Sequence, residues 1–223
     1  MKNNILLPFA FTGLVAALAG CGGGSSQINE DPNKGVTAST SGCTSSTSTD
    51  TCMMFAIDYP VEGLNFDCSS DTTNHFATTQ NGNVFTGGCQ VGDKVTFYIQ
   101  GSKTSRKITL GTVDLSKLRP KKLDTNPVYI SLYDIAQSAT GAAATKTDSS
   151  DTTFKVLMGY VKLLQAISVA QANQATALQT VELTSDLKNN LSVVTSDVGL
   201  TNFKDGSYAT LLQPWVDLST VSD

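Results

Sequence analysis

Charge is scarce in this sequence. Lys, Arg, Asp and Glu make up 15% of its 223 residues, 15 basic against 19 acidic, for a net charge of −4. A typical soluble domain carries about 25% charged residues, so the polar surface must come from uncharged groups, and serine and threonine supply them. The acidic balance argues against a nucleic-acid binder, which needs a basic patch to neutralise phosphates. Histidine occurs once, as His75. That excludes most histidine-based metal sites and leaves one imidazole for any serine or cysteine nucleophile. Also missing are a Gly-x-Ser-x-Gly elbow, a dinucleotide fingerprint, a haem-attachment motif and a basic-aromatic patch. The length allows one or two domains with real cores, since domains run about 50–250 residues.

What is present begins at the amino end. Lys2 is followed by an apolar run over residues 5–18, broken by Pro8, Thr12 and Gly13, and then by Leu18-Ala19-Gly20-Cys21. A basic start, a short apolar core and small residues at the end predict a secretory signal over residues 1–20, too short for a comfortable membrane span. Leu-Ala-Gly-Cys resembles the bacterial lipobox. The resemblance implies a diacylglycerol on the Cys21 thiol, cleavage before Cys21 and acylation of the new amino group. Membrane lipid would then be a partner through acylated Cys21, since several acyl chains make a stable anchor. The alternative is an ordinary signal peptide with Cys21 as the first mature residue. Gly22 rather than Asp follows the cysteine, which by the same analogy favours the outer membrane.

Four other cysteines remain, Cys43, Cys52, Cys68 and Cys89. An even number in an oxidising compartment predicts disulfides. Three pairings are open, and local pairing in chain order is preferred. A cysteine metal site needs closely spaced pairs, which are absent.

Residues 21–51 are mostly Gly, Ser, Thr, Asn and Asp with almost nothing to bury; eleven of the fifteen residues from Thr37 to Thr51 are Ser or Thr. Such a segment cannot repay the entropy of ordering and reads as a flexible tether. Residues 52–120 read as a β-rich module. Strand-like runs fall at residues 52–57, 63–68, 83–86, 94–99 and 106–110. Leu64, Phe66 and Cys68 alternate with Asn65 and Asp67, the period of a half-buried strand, and Val95, Phe97 and Ile99 repeat it. Turn chemistry is expected at residues 80–83, at Gly87-Gly88 and at Val91-Gly92-Asp93. Short antiparallel strands at this spacing predict a small sandwich or barrel, and with the helices that follow, an α+β chain.

The strings from Val61 to Cys68, from Thr79 to Phe85, from Cys89 to Ile99 and from Ile108 to Gly111 together resemble a module of bacterial surface lipoproteins. The family this is most similar to is the FilF-like pilus-assembly lipoproteins of Gram-negative bacteria. The resemblance covers about residues 55–120 and continues weakly into residues 160–167. It implies a β-module in an outer-membrane lipoprotein that takes part in pilus or surface assembly and cell adhesion, with pilus or envelope proteins as partners.

Residues 121–223 read as mainly helical. Asn126-Pro127 is expected to open a helix through Tyr129, Leu132, Tyr133 and Ile135-Ala136, with proline at its first position. Residues 138–151 read as a polar loop, and Asp151 or Thr152 as the cap of a stronger helix. Its apolar stripe is read as Phe154, Leu157, Met158, Val161, Leu164 and Ile167. Residues 168–180 are helix-compatible, a short helix is expected from Thr184 through Val194, and Tyr208 to Trp215 offers Leu211, Leu212 and Trp215 for burial.

Candidate chemistry is thin. His75, in Thr73-Asn74-His75-Phe76, reads as a solvated loop histidine. Gly101-Ser102-Lys103-Thr104 has part of a phosphate-loop pattern, but Thr96 stands where the earlier glycine belongs, so a hairpin turn is expected. Asp58, Glu62, Asp67 and Asp71 cluster in sequence and could serve calcium or an acid/base pair; a solvated face is the plainer expectation. The resulting expectation is a non-enzymatic interaction module with no catalytic residue, no metal, no cofactor and no nucleic-acid partner. It would bind by surface or strand-edge contacts. The alternative is a carbohydrate- or ion-binding β domain, decided by the surface around Asp67, Asp71 and His75.

Overall fold

The computed structural model describes residues 52–118, 127–171 and 180–221. The expected signal and tether, with Cys21 and Cys43, lie outside the described residues.

Ten strands and five α-helices follow one another along the described chain. They are β1 (Cys52–Ile57), β2 (Val61–Glu62), β3 (Asn65–Cys68), β4 (Phe76–Ala77), β5 (Thr79–Asn81), β6 (Val84–Gln90), β7 (Lys94–Gln100), β8 (Lys107–Asp114), β9 (Val128–Ile130), α1 (Leu132–Thr140), α2 (Thr152–Gln171), β10 (Val181–Glu182), α3 (Ser185–Asn189), α4 (Leu200–Asp205) and α5 (Tyr208–Leu212). One four-stranded sheet has the order β5-β6-β1-β9 and the other β4-β3-β7-β8, while β10 and β2 form a small parallel pair. The chain is α+β, as expected, and the β part is a sandwich.

Aromatic rings fill the space between the two sheets. Phe55 of β1 meets Phe66 of β3 edge-on at 5.0 Å and Phe97 of β7 at 5.6 Å, and all three are fully buried. Edge-to-face packing at this distance suits the ring quadrupole. The Gly87-Gly88 pair, expected at a turn, lies instead in the middle of β6, paired with Phe55 and Met54. The reason is space: a Cβ on Gly87 would sit 2.6 Å from ring carbons of both Phe55 and Phe66. The disulfide Cys68–Cys89 joins β3 to β6, and so one sheet to the other, with Cα atoms 5.6 Å apart. Cys52 is disulfide-bonded as well, to a partner outside the described residues.

The helix expected from Asn126-Pro127 does not start there. Residues Val128–Ile130 pair in parallel with Phe55–Ile57 of β1, because Val128, Tyr129 and Ile130 are β-formers that complete the sheet. The helix begins one turn later. Ser131 caps α1 in a reciprocal box with Asp134, the arrangement that satisfies two orphan N–H groups at once. The C-terminal half thus supplies β9 and β10 to the β part, and a single hydrophobic core runs from Met53 to Leu218.

Asp151 is the cap of α2: its Oδ1 accepts from Thr153 N at 2.9 Å and Phe154 N at 3.0 Å. The buried face of α2 is turned from the expected stripe. Val156, Tyr160, Leu163, Leu164 and Ile167 are buried, whereas Met158 is 40% exposed and Phe154, Leu157 and Val161 are only half-buried. Phe203 of α4 decides this, since a Cβ on Gly159 would lie 2.8 Å from its ring and Tyr160 meets the same ring edge-on at 4.7 Å. Helix α4 itself had no clear mark in the sequence. By length and composition α2 could cross a membrane, but its buried face belongs to the core of this fold.

The long edge strand β8 is closed by neighbours. Thr109 N donates to Val198 O at 2.8 Å and Val198 N to Lys107 O at 3.0 Å. Further along, Tyr160 Oη donates to Leu110 O and Ser138 Oγ to Thr112 O.

Candidate functional site

Antiparallel register fixes what stands together on the outer face of the second sheet. Asp67 lies opposite Thr96, Thr96 opposite Thr112, and Tyr98 between Asn65 and Thr109. The pairing of Phe66 with Phe76 brings His75, the residue before β4, alongside Asp67. His75 Nδ1 is 2.8 Å from Asp67 Oδ1, Tyr98 Oη donates to the same Oδ1 at 2.8 Å, and Tyr98 Oη lies 3.1 Å from His75 Nδ1. Lys107 Nζ stands 3.6 Å from the centre of the Tyr98 ring, in cation–π range. Thr96 and Thr112 hydroxyls meet at 2.8 Å alongside.

Burial, with the Asp67 charge and hydrogen bond added, pushes the Tyr98 phenol far above its ordinary value. Tyr98 is therefore a neutral donor. Asp67 then accepts from Tyr98 Oη, and an Nδ1–H on His75 facing the same oxygen satisfies all three groups. His75 is 38% exposed at its side chain and Asp67 30%, so His75 is not the freely solvated loop residue the sequence suggested. An aspartate holding an imidazole in one tautomer is the supporting half of general-base machinery. Among the described residues, no serine, threonine or cysteine is hydrogen-bonded to His75, so the nucleophilic half is not joined to it.

The four carboxylates of the sequence cluster separate. Asp58 follows β1, where desolvation raises its pKa against hydrogen bonds from Leu132 and Tyr59 that lower it. Glu62 lies in β2 beside β10. Asp71 closes its own turn, accepting from Thr73 N and Asn74 N at 3.1 Å and from Asn74 Nδ2. Only Asp67 joins the histidine. Among the described residues, the aromatic hydrogen-bonded to Asp67 on the surface that was to decide for a carbohydrate site is Tyr98, which is fully buried with Lys107 over its ring, so its face is not open to stack on a sugar. The Gly101–Thr104 segment is a hairpin connection held by Asn189, whose Oδ1 accepts from Ser102 Oγ and Lys103 N.

Sequence reasoning placed Asp93 in a turn and gave its side chain no further role. It is 5% exposed and gathers Ser69 Oγ, Ser70 N, Ser70 Oγ and Gln90 N at 2.8–2.9 Å, tying the β3–β4 loop to the β6–β7 turn. Its position after Gly92, whose φ is 92°, was the available signal. Asp93 also stands within 4.8 Å of the Cys68 and Cys89 sulfurs, but both sulfurs are spent in the disulfide. No family model matches the chain, and no curated protein sequence or solved structure matches it either.

Proposed function

We propose that this chain is a lipid-anchored lipoprotein of the outer membrane whose folded part is a non-enzymatic interaction module of a pilus or surface-assembly system. The observation that carries the reading is Leu18-Ala19-Gly20-Cys21 behind Lys2 and an apolar run. The mechanism is positional: acyl chains on Cys21 fix the protein to lipid, residues 21–51 set its reach, and the sandwich meets a protein partner. The Cys68–Cys89 bond supports an oxidising compartment, where disulfides persist. The His75–Asp67–Tyr98 trio spends its hydrogen bonds largely on itself, which suits a fixed surface better than a reacting centre. With the outer groups of β8 engaged, contact through exposed faces is favoured over addition of a strand at that edge.

Fractionation of a Cys21→Ser variant tests the anchor. The expected result is protein released from membranes or retained as unprocessed precursor; mature, fully membrane-bound variant overturns it. Crosslinking the lipidated protein in its native envelope tests the partner. Recovery of pilus or secretion components is expected, and free monomer alone counts against the assembly role.

A further inference from the structure

We propose that Asn81-Gly82, at the tip of the β5–β6 hairpin, is a site of spontaneous main-chain modification that converts residue 81 to aspartate or isoaspartate. The two strands pair Asn81 with Val84, so Gly82 and Asn83 form a two-residue loop. Asn81, Gly82 and Asn83 are all exposed. Gly82 has a φ of 62°, and nothing lies within 4 Å of where its Cβ would stand. Gln80 Nε2 donates to Gly82 O at 3.2 Å, but among the described residues neither the Gly82 N–H nor the Asn81 carboxamide is tied by a hydrogen bond. Both reacting groups are therefore free, at a residue with no side chain to hinder their approach.

The chemistry needs only water. Gly82 N–H gives its proton to solvent base, and the nitrogen adds to Asn81 Cγ. The Cγ–Nδ2 bond breaks, and Nδ2 leaves as ammonia after taking up a proton. A five-membered imide remains. Water then opens it: cleavage of the bond between Gly82 N and Cγ gives aspartate, and cleavage at the α-carbonyl gives isoaspartate, with the main chain running through Cβ. Nothing is oxidised or reduced. The closure requires Asn81 to leave its strand conformation, and Asn81–Val84 is the last rung of a three-residue strand, the part of a fold that opens most readily.

The molecule contains its own comparisons. Asp205-Gly206 has the same small second residue, but Gly206 N donates to Asn202 O at 2.9 Å and Asp205 Oδ1 accepts from Ser207 N at 2.8 Å, so both reacting groups are held. Asn83 is exposed in the same turn but precedes Val84, whose branched side chain crowds the attacking nitrogen. Conversion at residue 81 puts a negative charge on a hairpin tip made of Gln80, Asn81, Gly82 and Asn83. The isoaspartyl form also lengthens the main chain by one carbon, so the Gln80–Phe85 and Thr79–Thr86 rungs cannot keep their register through the same turn.

The test is ageing of the whole folded protein in mildly alkaline buffer, followed by proteolysis and mass spectrometry that separates aspartyl from isoaspartyl peptides. Residue 81 is expected to convert at least about tenfold faster than Asn83, a ratio set by a small difference in barrier, and faster as pH rises. Gly82→Ala is expected to slow conversion by about tenfold, while Asn81→Gln removes it with an unchanged circular dichroism spectrum. Asn81 that outlasts Asn83, or a folded Gly82→Ala variant that converts at the wild-type rate, overturns the proposal.

Discussion

Gly87 and Tyr98 show how single residues set the two faces of the sandwich. Gly87 faces the space between the sheets, and the Phe55 and Phe66 rings occupy the room its side chain would need. Gly87→Ala is expected to cost about 1–3 kcal/mol, the range for overpacking a filled core, read as a lower denaturant midpoint at unchanged slope. On the outer face, Tyr98→Phe removes the donor to Asp67 and should lower stability by about 1 kcal/mol. An unchanged urea midpoint would mean that the trio is not held together in solution. The sequence pointed to neither residue. Glycine pairs mark turns more often than close sheet contacts, and a histidine in a polar stretch looks solvated until strand pairing sets Asp67 beside it.

At the level of elements, α2 is both well and badly marked in the sequence. Its existence and its Asp151 cap follow from local chemistry and are readable. Its orientation is not, because Phe154, Met158 and Val161 offer a second apolar stripe beside Val156, Tyr160 and Leu163. The choice rests on Gly159, against which Phe203 of a distant helix fits. The missed strand β9 has the same cause: Val128 to Ile130 became a strand because β1 had a free edge, a fact that lies seventy residues away in the chain. The cap makes a pH prediction. Hydrogen bonds from Phe154 N and Thr145 N lower the Asp151 pKa from 3.8 to about 2. A depressed folded-state pKa contributes stability that is complete above the unfolded value and lost as pH falls through the folded one. The thermal unfolding midpoint should therefore fall as pH falls from about 4 towards 2, and Asp151→Asn should flatten that part of the profile. An identical acid profile in the variant would remove Asp151 from the cause.

For the whole molecule, the Cys68–Cys89 bond is the feature that joins the two sheets covalently, across a separation of 21 residues. A closed loop of that size stabilises a fold by roughly 3 kcal/mol. Replacing both cysteines by alanine should lower the unfolding free energy by about that amount, checked by denaturant titration; a loss near zero would mean that packing alone holds the sheets. The α+β order and the β-to-helix sequence of the chain were readable from its periodicities. The mixing of its halves was not, because Val181 and Glu182 pair with Val61 and Glu62 across most of the chain, and no local pattern records so distant a contact.

The place of that bond also decides how the protein bears load. A pull on the segment before Cys52 enters β1 at its first residue, where Cys52 faces Gln90 and Met53 faces Cys89. One rung in, Cys89 is bonded to Cys68 of the opposite sheet, so traction on one sheet passes into the other through a covalent link. β1 lies inside its sheet, paired with β6 on one side and β9 on the other. Tearing it out means shearing both ladders together rather than unzipping one rung at a time, the arrangement of a mooring point.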